Sequence, residues 1–312
     1  MTTWLCDDLI TNVRRKAWLS ENNTNFTDEQ ILRVAYEQAS KILLPLVRAV
    51  DHTYYLSSYE IALTTAASRY RIPPRAATQV IVSALLFDSN GDESPITRIE
   101  PQDFDRLKTT ASANAPLYYC VVGSYLKTWP ISASNGFTLK INYQRRIPKF
   151  VKTTSASTID SISTTDLTAS STISWITTDP FKIDIMYQDP TADLIVVSEA
   201  GTAASTTQID FISAIDSEIV TEITDEIAYN PVYVCLEDTT PIVPFVDTLC
   251  FVLEDYAASS ILKEQKKTEQ AAAMLSDAND YLEKMLDPLR SRVNKAPIKV
   301  TNINSSLLGY RW

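Results

Sequence analysis

The chain holds a single histidine, His52, between Asp51 and Thr53. A Ser-His-Asp relay would use that imidazole as its base, and serines and aspartates are common enough to flank it by chance. No serine sits in a Gly-x-Ser-x-Gly elbow, so His52 reads as a residue at a helix end. Cys6, Cys120, Cys235 and Cys250 are widely separated and lack Cys-x-x-Cys spacing. Zinc needs clustered Cys and His ligands, which this pattern does not offer. The four read as reduced core thiols of a protein made in a reducing compartment. Asp277, Asn279 and Asp280 are faintly like a calcium loop, but they lack its glycine and fall in a helical pattern, so they read as a solvated helix face. Carboxylates are dense between residues 160 and 254, yet nothing selects a pair for glycosidic acid–base work. Tyr118, Tyr119, Tyr125 and Trp129 have the chemistry to stack on sugars or bases, with sheet packing as the competing use. Arg14-Arg15-Lys16 is too short for a nucleic-acid footprint. The reading is of no enzyme, with no catalytic, cofactor-binding or metal site and no cofactor.

Bulk composition supports that reading. Only 5 of 312 residues are glycine, which disfavours phosphate-cradling loops and Rossmann turns. Hydrophobic residues make up 45% of the chain, enough for one large or two smaller cores. Residues 1–10 carry Asp7 and Asp8 and no basic segment, unlike a signal peptide, and no apolar run of about 18 residues predicts a membrane span. The net charge is −10 and is segregated: residues 153–255 hold 18 acids against Lys182 alone, a net of −17, whereas 290–312 hold five bases and no acid. An acidic body with a basic tail predicts two surfaces with different neighbours. Overall acidity argues against tight DNA binding and suits a wall that DNA slides past.

The organising stretch is 247–292. Leu249, Val252, Leu253, Tyr256 and Leu262, then Met274, Leu275, Ala278, Tyr281, Leu282, Met285 and Leu289, recur at steps of three and four. This predicts one long helix, or two with a sharp turn near Thr268. Its partners come from the other chain end. Residues 7–19 predict a helix with Leu9, Ile10, Val13, Ala17 and Trp18 on the apolar side and Arg14, Arg15 and Lys16 on the wet side. A second helix starts at the Thr27/Gln30 capping box, with Phe26 and Ile31 as staple. It runs to about Val50, burying Ile31, Leu32, Ala35, Ala39, Ile42, Leu43, Leu46 and Val50, and Pro45 should bend it.

Between these ends the pattern switches to strands at 54–63, 70–72, 77–87, 95–99, 117–122, 125–129 and 137–146, with hairpin signals at Asn90-Gly91 and Asn135-Gly136 and a helical turn at 103–108. The Ser/Thr-rich stretch 153–178 carries Ile159, Ile162, Leu167, Ile173, Trp175 and Ile176, which fits short strands better than disorder. Further strands are expected at 181–186, 194–197, 208–212 and 232–236, and 217–227 reads as a helix, with an irregular acidic loop as the alternative. The expected fold is α+β: an antiparallel helical bundle from 1–52 and 246–295, a large antiparallel β-rich insertion at 53–245, and an extended C-terminal arm at 296–312. That arm ends in Leu307, Leu308, Tyr310, Arg311 and Trp312, too apolar and basic to stay free in water, and is expected to dock on a partner by strand addition or in a groove.

Several stretches resemble the head-to-tail adaptor (connector) proteins of tailed bacteriophages. Asp8-Leu9-Ile10 to Arg15 and Phe26-Thr27-Asp28-Glu29-Gln30-Ile31-Leu32 are similar to the family's opening helices. Ser68-Arg69-Tyr70-Arg71-Ile72-Pro73 followed by Arg75-Ala76, Tyr118-Tyr119 leading to Trp129-Pro130, and 139–146 are similar to its β region. Asp287-Pro288-Leu289-Arg290-Ser291-Arg292-Val293 and Ser306-Leu307-Leu308 are similar to its closing helix and tail. The chain departs from the family in lacking a Gly at the break between the last two helices. The resemblance implies a structural virion protein of the neck, synthesised in the host cytoplasm. It implies a homo-oligomeric ring, usually a dodecamer, that continues the DNA channel used in genome ejection. Its partners would be the portal protein, engaged by the C-terminal arm, and tail or nozzle proteins. A β-rich adhesin or glycan-binding module is the competing reading, motivated by the Ser/Thr-rich strands and the aromatics, and a hydrolase comes third.

Overall fold

The computed structural model describes residues 4–20, 23–50, 55–65, 67–73, 75–107, 115–130, 136–174, 180–188 and 194–295. His52, Asn135, Trp175, Ile176 and the whole 296–312 arm lie outside them. The fold is α+β. It forms two compact units, residues 1–51 with 147–312 and residues 52–146, so the expected β-rich segment 53–245 is shared between both.

Helix α1 (Cys6–Lys16) buries Cys6, Leu9, Ile10 and Val13. Trp18 does not join that face. It follows the helix at φ 51° and is 62% exposed. The basic side is not simply wet either. Arg14 gives Asp28 a hydrogen bond of 2.7 Å and also donates to the carbonyls of Ser20 and Phe26. Helix α2 (Asp28–Gln38) opens on the expected capping box: Gln30 N–H donates to Thr27 Oγ1 at 3.3 Å, and Thr27 N–H to Gln30 Oε1 at 2.9 Å.

Pro45 cannot donate to Lys41, and the chain answers with a π turn over Ala39–Leu43, in which Leu44 N–H reaches Ala39 O. One extra residue in a turn rotates everything beyond it by about 100°. Beyond the turn, in α3 (Leu44–Val50), the buried residues are Leu44 and Val47. The expected Ile42 and Leu46 are 36% and 39% exposed.

Residues 52–146 fold as two four-stranded sheets sharing one core. The first has order β1-β8-β3-β4, from β1 (Leu56–Ala62), β3 (Ala76–Phe87), β4 (Glu93–Pro95) and β8 (Thr138–Arg145). The second has order β2-β7-β6-β5, from β2 (Arg69–Arg71), β5 (Thr97–Arg98), β6 (Tyr118–Val122) and β7 (Tyr125–Trp129). Alternation explains the faces: Leu139, Ile141 and Tyr143 from one sheet meet Tyr70, Tyr119 and Leu126 from the other. Asn90-Gly91 closes the β3–β4 hairpin with Gly91 at φ 88°, while the Asp88 carboxylate accepts from the N–H groups of Asn90 and Asp92. The expected helical turn is α4 (Pro101–Leu107).

The chain re-enters the first unit through β9 (Lys149–Phe150) and then builds a closed barrel. Its strands are β10 (Ala156–Ile162), β11 (Asp166–Ala169), β12 (Phe181–Gln188), β13 (Leu194–Ala203), β14 (Gln208–Phe211) and β15 (Tyr233–Leu236), in the order β10-β11-β14-β13-β12-β15. The pairing of β15 with β10 closes it. The Ser/Thr-rich stretch thus supplies two barrel strands. Ile159, Leu167, Ile183, Ile185, Ile209 and Val234 fill the interior, and α5 (Ser217–Ile227) packs Ile223 onto it. Closure removes the sheet edges that otherwise invite aggregation.

A short parallel pair, β16 (Thr239–Thr240) on β9, leads to the last helices. Helix α6 (Asp247–Glu264) is buried on nearly every side, from Leu249 to Leu262, with Phe251 left 45% exposed. It contacts α1 and α2, and α7 (Thr268–Lys295) folds back along it, burying Ala271, Ala278 and Leu282 while Tyr281 is 43% exposed. The 247–292 stretch is therefore two helices. The break is a Schellman motif: Lys266 N–H donates to Lys263 O and Lys267 N–H to Leu262 O. Its left-handed residue is Lys266, at φ 63°, where glycine is the usual occupant. Lys266→Gly removes the steric cost at that position and gives part of it back as unfolded-state entropy. We expect a net gain of about 0.5–1 kcal/mol, read by urea denaturation.

Candidate functional site

No catalytic constellation assembles among the described residues. All four cysteines are buried thiols outside any disulfide. Burial pushes the Cys6 and Cys250 thiols far above their ordinary range, which suppresses the nucleophilic thiolate. Cys235 Sγ donates to Thr239 O at 3.0 Å, and Cys250 Sγ to Phe245 O at 3.4 Å. Asn279 Oδ1 accepts from Tyr256 Oη at 2.6 Å, so it ties α7 to α6. No His, Cys, Asp and Glu cluster with metal-ligand geometry occurs among the described residues. A solvent-open hollow at the α6–α7 turn is lined by Lys266, Lys267, Thr268, Glu269 and Gln270. It brings together no acid–base pair with a nucleophile. No helix of the described residues is long and apolar enough to cross a membrane.

The aromatic group divides. Tyr119 is 3% exposed in the sheet core, and burial raises its phenol. Tyr118 and Trp129 are directly opposite each other on the other face of β6·β7. Tyr125 stands on that outer face, 42% exposed, with the Arg69 guanidinium 5.0 Å from its ring centroid. Of the four aromatics, Tyr119 thus belongs to the core, and Tyr118, Tyr125 and Trp129 share the other face of the strand pair.

The structure creates instead two charged faces. On β2·β7, Arg69 is directly opposite Lys127, and Arg71 is opposite Tyr125. The residues between them, Tyr70 and Leu126, point into the core, so the cations point outward. On the barrel, Asp166 of β11 is directly opposite Asp210 of β14, flanking the buried pair Leu167 and Ile209. Like charges opposed across a strand pair cost stability. Neither pair has a counter-ion among the described residues, whose ion pairs lie elsewhere. No spacing in the sequence shows these pairs, because they depend on register between strands far apart in the chain.

A third charged group is structural. Asp28 accepts from Lys152 Nζ and Arg14 Nη2, each at 2.7 Å, joining α1, α2 and the segment after β9. Lys152, then Arg14, hold the Asp28 carboxyl below its usual 3.8. The same contact holds the Lys152 amine above its usual 10.5. The depressed Asp28 contributes stability above its unfolded value and loses it as pH falls through the folded one. Lys152 contributes below its unfolded value and loses that contribution as pH climbs through its raised folded value. Accordingly, the stability advantage of the native chain over Asp28→Asn, present at neutral pH, should shrink as acid takes the pH through the depressed folded value. Urea titrations at several pH values check this.

The family comparison bears on the same residues. The model of the SU10 adaptor protein family matches residues 5–177. That is more than half of the chain. The chain belongs to the SU10 adaptor protein family. No curated protein matches it. The match takes in α1, α2 and α3, the whole 52–146 unit and the first two barrel strands. The family is one of bacteriophage structural adaptors, virion proteins of the neck, and is not known for enzymatic activity. The arm residues Leu307, Leu308, Tyr310, Arg311 and Trp312 lie beyond the family match and outside the described residues.

Proposed function

We propose that this adaptor forms the ring joining portal to tail, a dodecamer as its family resemblance implies, and continues the DNA channel through which the genome is ejected. The family match carries the reading, and the segregated charge supports it. Helices from residues 1–52 and 246–295 form an antiparallel bundle that is the scaffold of the ring. The β-rich 53–245 part faces the tail or nozzle proteins. The 296–312 arm binds the portal protein through Leu307, Leu308, Tyr310, Arg311 and Trp312. The acidic body lets DNA pass without sticking, since phosphate finds little to neutralise it.

The test is deletion of 296–312. The truncated chain should keep its fold by circular dichroism and lose attachment to portal-bearing heads, scored by negative-stain imaging of purified protein mixed with heads. Attachment equal to that of the full chain rejects the arm. A full-length chain that never occupies the neck rejects the adaptor reading itself.

A further inference from the structure

We infer that the two charged faces are the two halves of one contact between neighbouring copies: the Arg69/Lys127 face of one copy seats on the Asp166/Asp210 face of the next. This rests on the ring reading above and adds the surfaces that would build the ring.

Each face is locally unfavourable on its own. Arg69 and Lys127 sit directly across β2·β7, with Arg71 one pleat along, and Asp166 and Asp210 sit directly across β11·β14. In both cases the intervening residues are core, which fixes the strand register and prevents the charges from slipping apart. Among the described residues these charges meet only neutral partners: Thr165 Oγ1 donates to Asp166 at 3.1 Å, Gln208 Nε2 donates to Asp210 at 3.2 Å, and Arg69 lies over the Tyr125 ring. A pair of like charges with no opposite charge beside it points to a use outside the chain. The two pairs also match in form. Opposed residues across an antiparallel pair have Cα atoms about 4.5–5.5 Å apart, so both charge pairs spring from backbone positions of similar spacing.

The segregation extends beyond the four residues. Residues 52–146 carry ten bases and seven acids, a net of +3 with the histidine neutral, whereas the barrel segment 156–236 carries 13 acids and only Lys182. The chain therefore holds both the basic surface and its acidic complement, on different units. Three outward cations are a small phosphate footprint on a chain of net charge −10, which disfavours nucleic acid as the occupant. A contact between two different patches is heterologous, and such contacts propagate head to tail until a ring closes. Tyr125, under Arg69, supplies a large amphipathic surface at the centre of the basic face.

Charge exchange tests the pairing. Arg69→Glu with Lys127→Glu makes one variant, and Asp166→Lys with Asp210→Lys the other, both in the full chain. Circular dichroism and thermal melts confirm that each folds, and self-association is read by sedimentation at low salt. The native chain should associate, and association should fade from about 0.05 M to about 0.5 M salt. Each variant alone should associate at least about tenfold more weakly. An equimolar mixture should regain association, because every contact then joins opposite charges. A native chain that stays monomeric at low salt, variants that associate like the native chain, or a mixture that gains nothing would each overturn the inference. Capture of short duplex DNA by the native chain, lost in the Arg69/Lys127 variant, would also overturn it. If the variants still fill necks as complete rings, this interface is wrong while the adaptor reading stands.

Discussion

Lys16→Met should cost about 3 kcal/mol, the largest single-residue loss we expect in the helical part of the chain. Lys16 Nζ lies 2.8 Å from Glu254 and 2.7 Å from Asp255, both on α6. The Glu254 side chain is 1% exposed. Asn12 Nδ2 donates to its other oxygen at 2.7 Å. An amide and an ammonium from α1 therefore satisfy a buried carboxylate of α6. Removing the ammonium leaves that charge desolvated with one neutral donor. It is this orphaned charge, more than the lost attraction, that sets the size of the effect. The double replacement Lys16→Met with Glu254→Met removes the orphan, and should recover about half of the loss. Equal losses for single and double variants would mean that the pair matters only through packing. Urea denaturation of the four chains in the cycle gives the answer.

That pair also shows where sequence reading stops. Arg14-Arg15-Lys16 looks like a wet face because its partners are out of sequence range: Asp28 is 14 residues from Arg14, and Lys16 pairs with Glu254 and Asp255 near the other end of the chain. Local signals were legible. The capping box at Thr27, the hairpin at Asn90-Gly91, the helix at Ser217–Ile227 and the strands in the Ser/Thr-rich stretch each follow from short-range chemistry or from an alternation of apolar residues. The phase of a helix was legible only until something reset it. Pro45 announced a disturbance, but only the structure gives its form, a π turn that moves burial from Ile42 and Leu46 to Leu44 and Val47. Barrel closure was not legible, because β10 finds β15 across the length of the barrel segment. The opposed charges of the two candidate faces are hidden for the same reason. Their meaning lies in register, and register is a property of two strands together.

Gly201→Ala should cost about 2–3 kcal/mol, although the position needs no left-handed backbone. Gly201 lies on β13, paired with Phe181 of β12 and Phe211 of β14. A Cβ built there would meet Ile209 Cγ2 at 2.6 Å, Asp210 O at 3.2 Å and Phe181 Cε2 at 3.5 Å. Ile209 is fully buried in the barrel core, and Asp210 O belongs to the neighbouring strand, so neither can yield cheaply. Glycine is scarce in this chain, and here its use is space: it lets a small barrel close around branched side chains. The clash has a named partner, which makes the argument separable from general damage. Ile209→Ala alone should be destabilising by loss of a buried aliphatic side chain, by about 2–4 kcal/mol. In the Gly201→Ala background the same change should cost at least about 1 kcal/mol less, because it removes the methyl that the new Cβ strikes. Strict additivity would show that the strain falls on the Asp210 carbonyl instead. Because Asp210 is half of the acidic face, a strand displaced there should also weaken association between copies, which sedimentation of the Gly201→Ala chain would reveal.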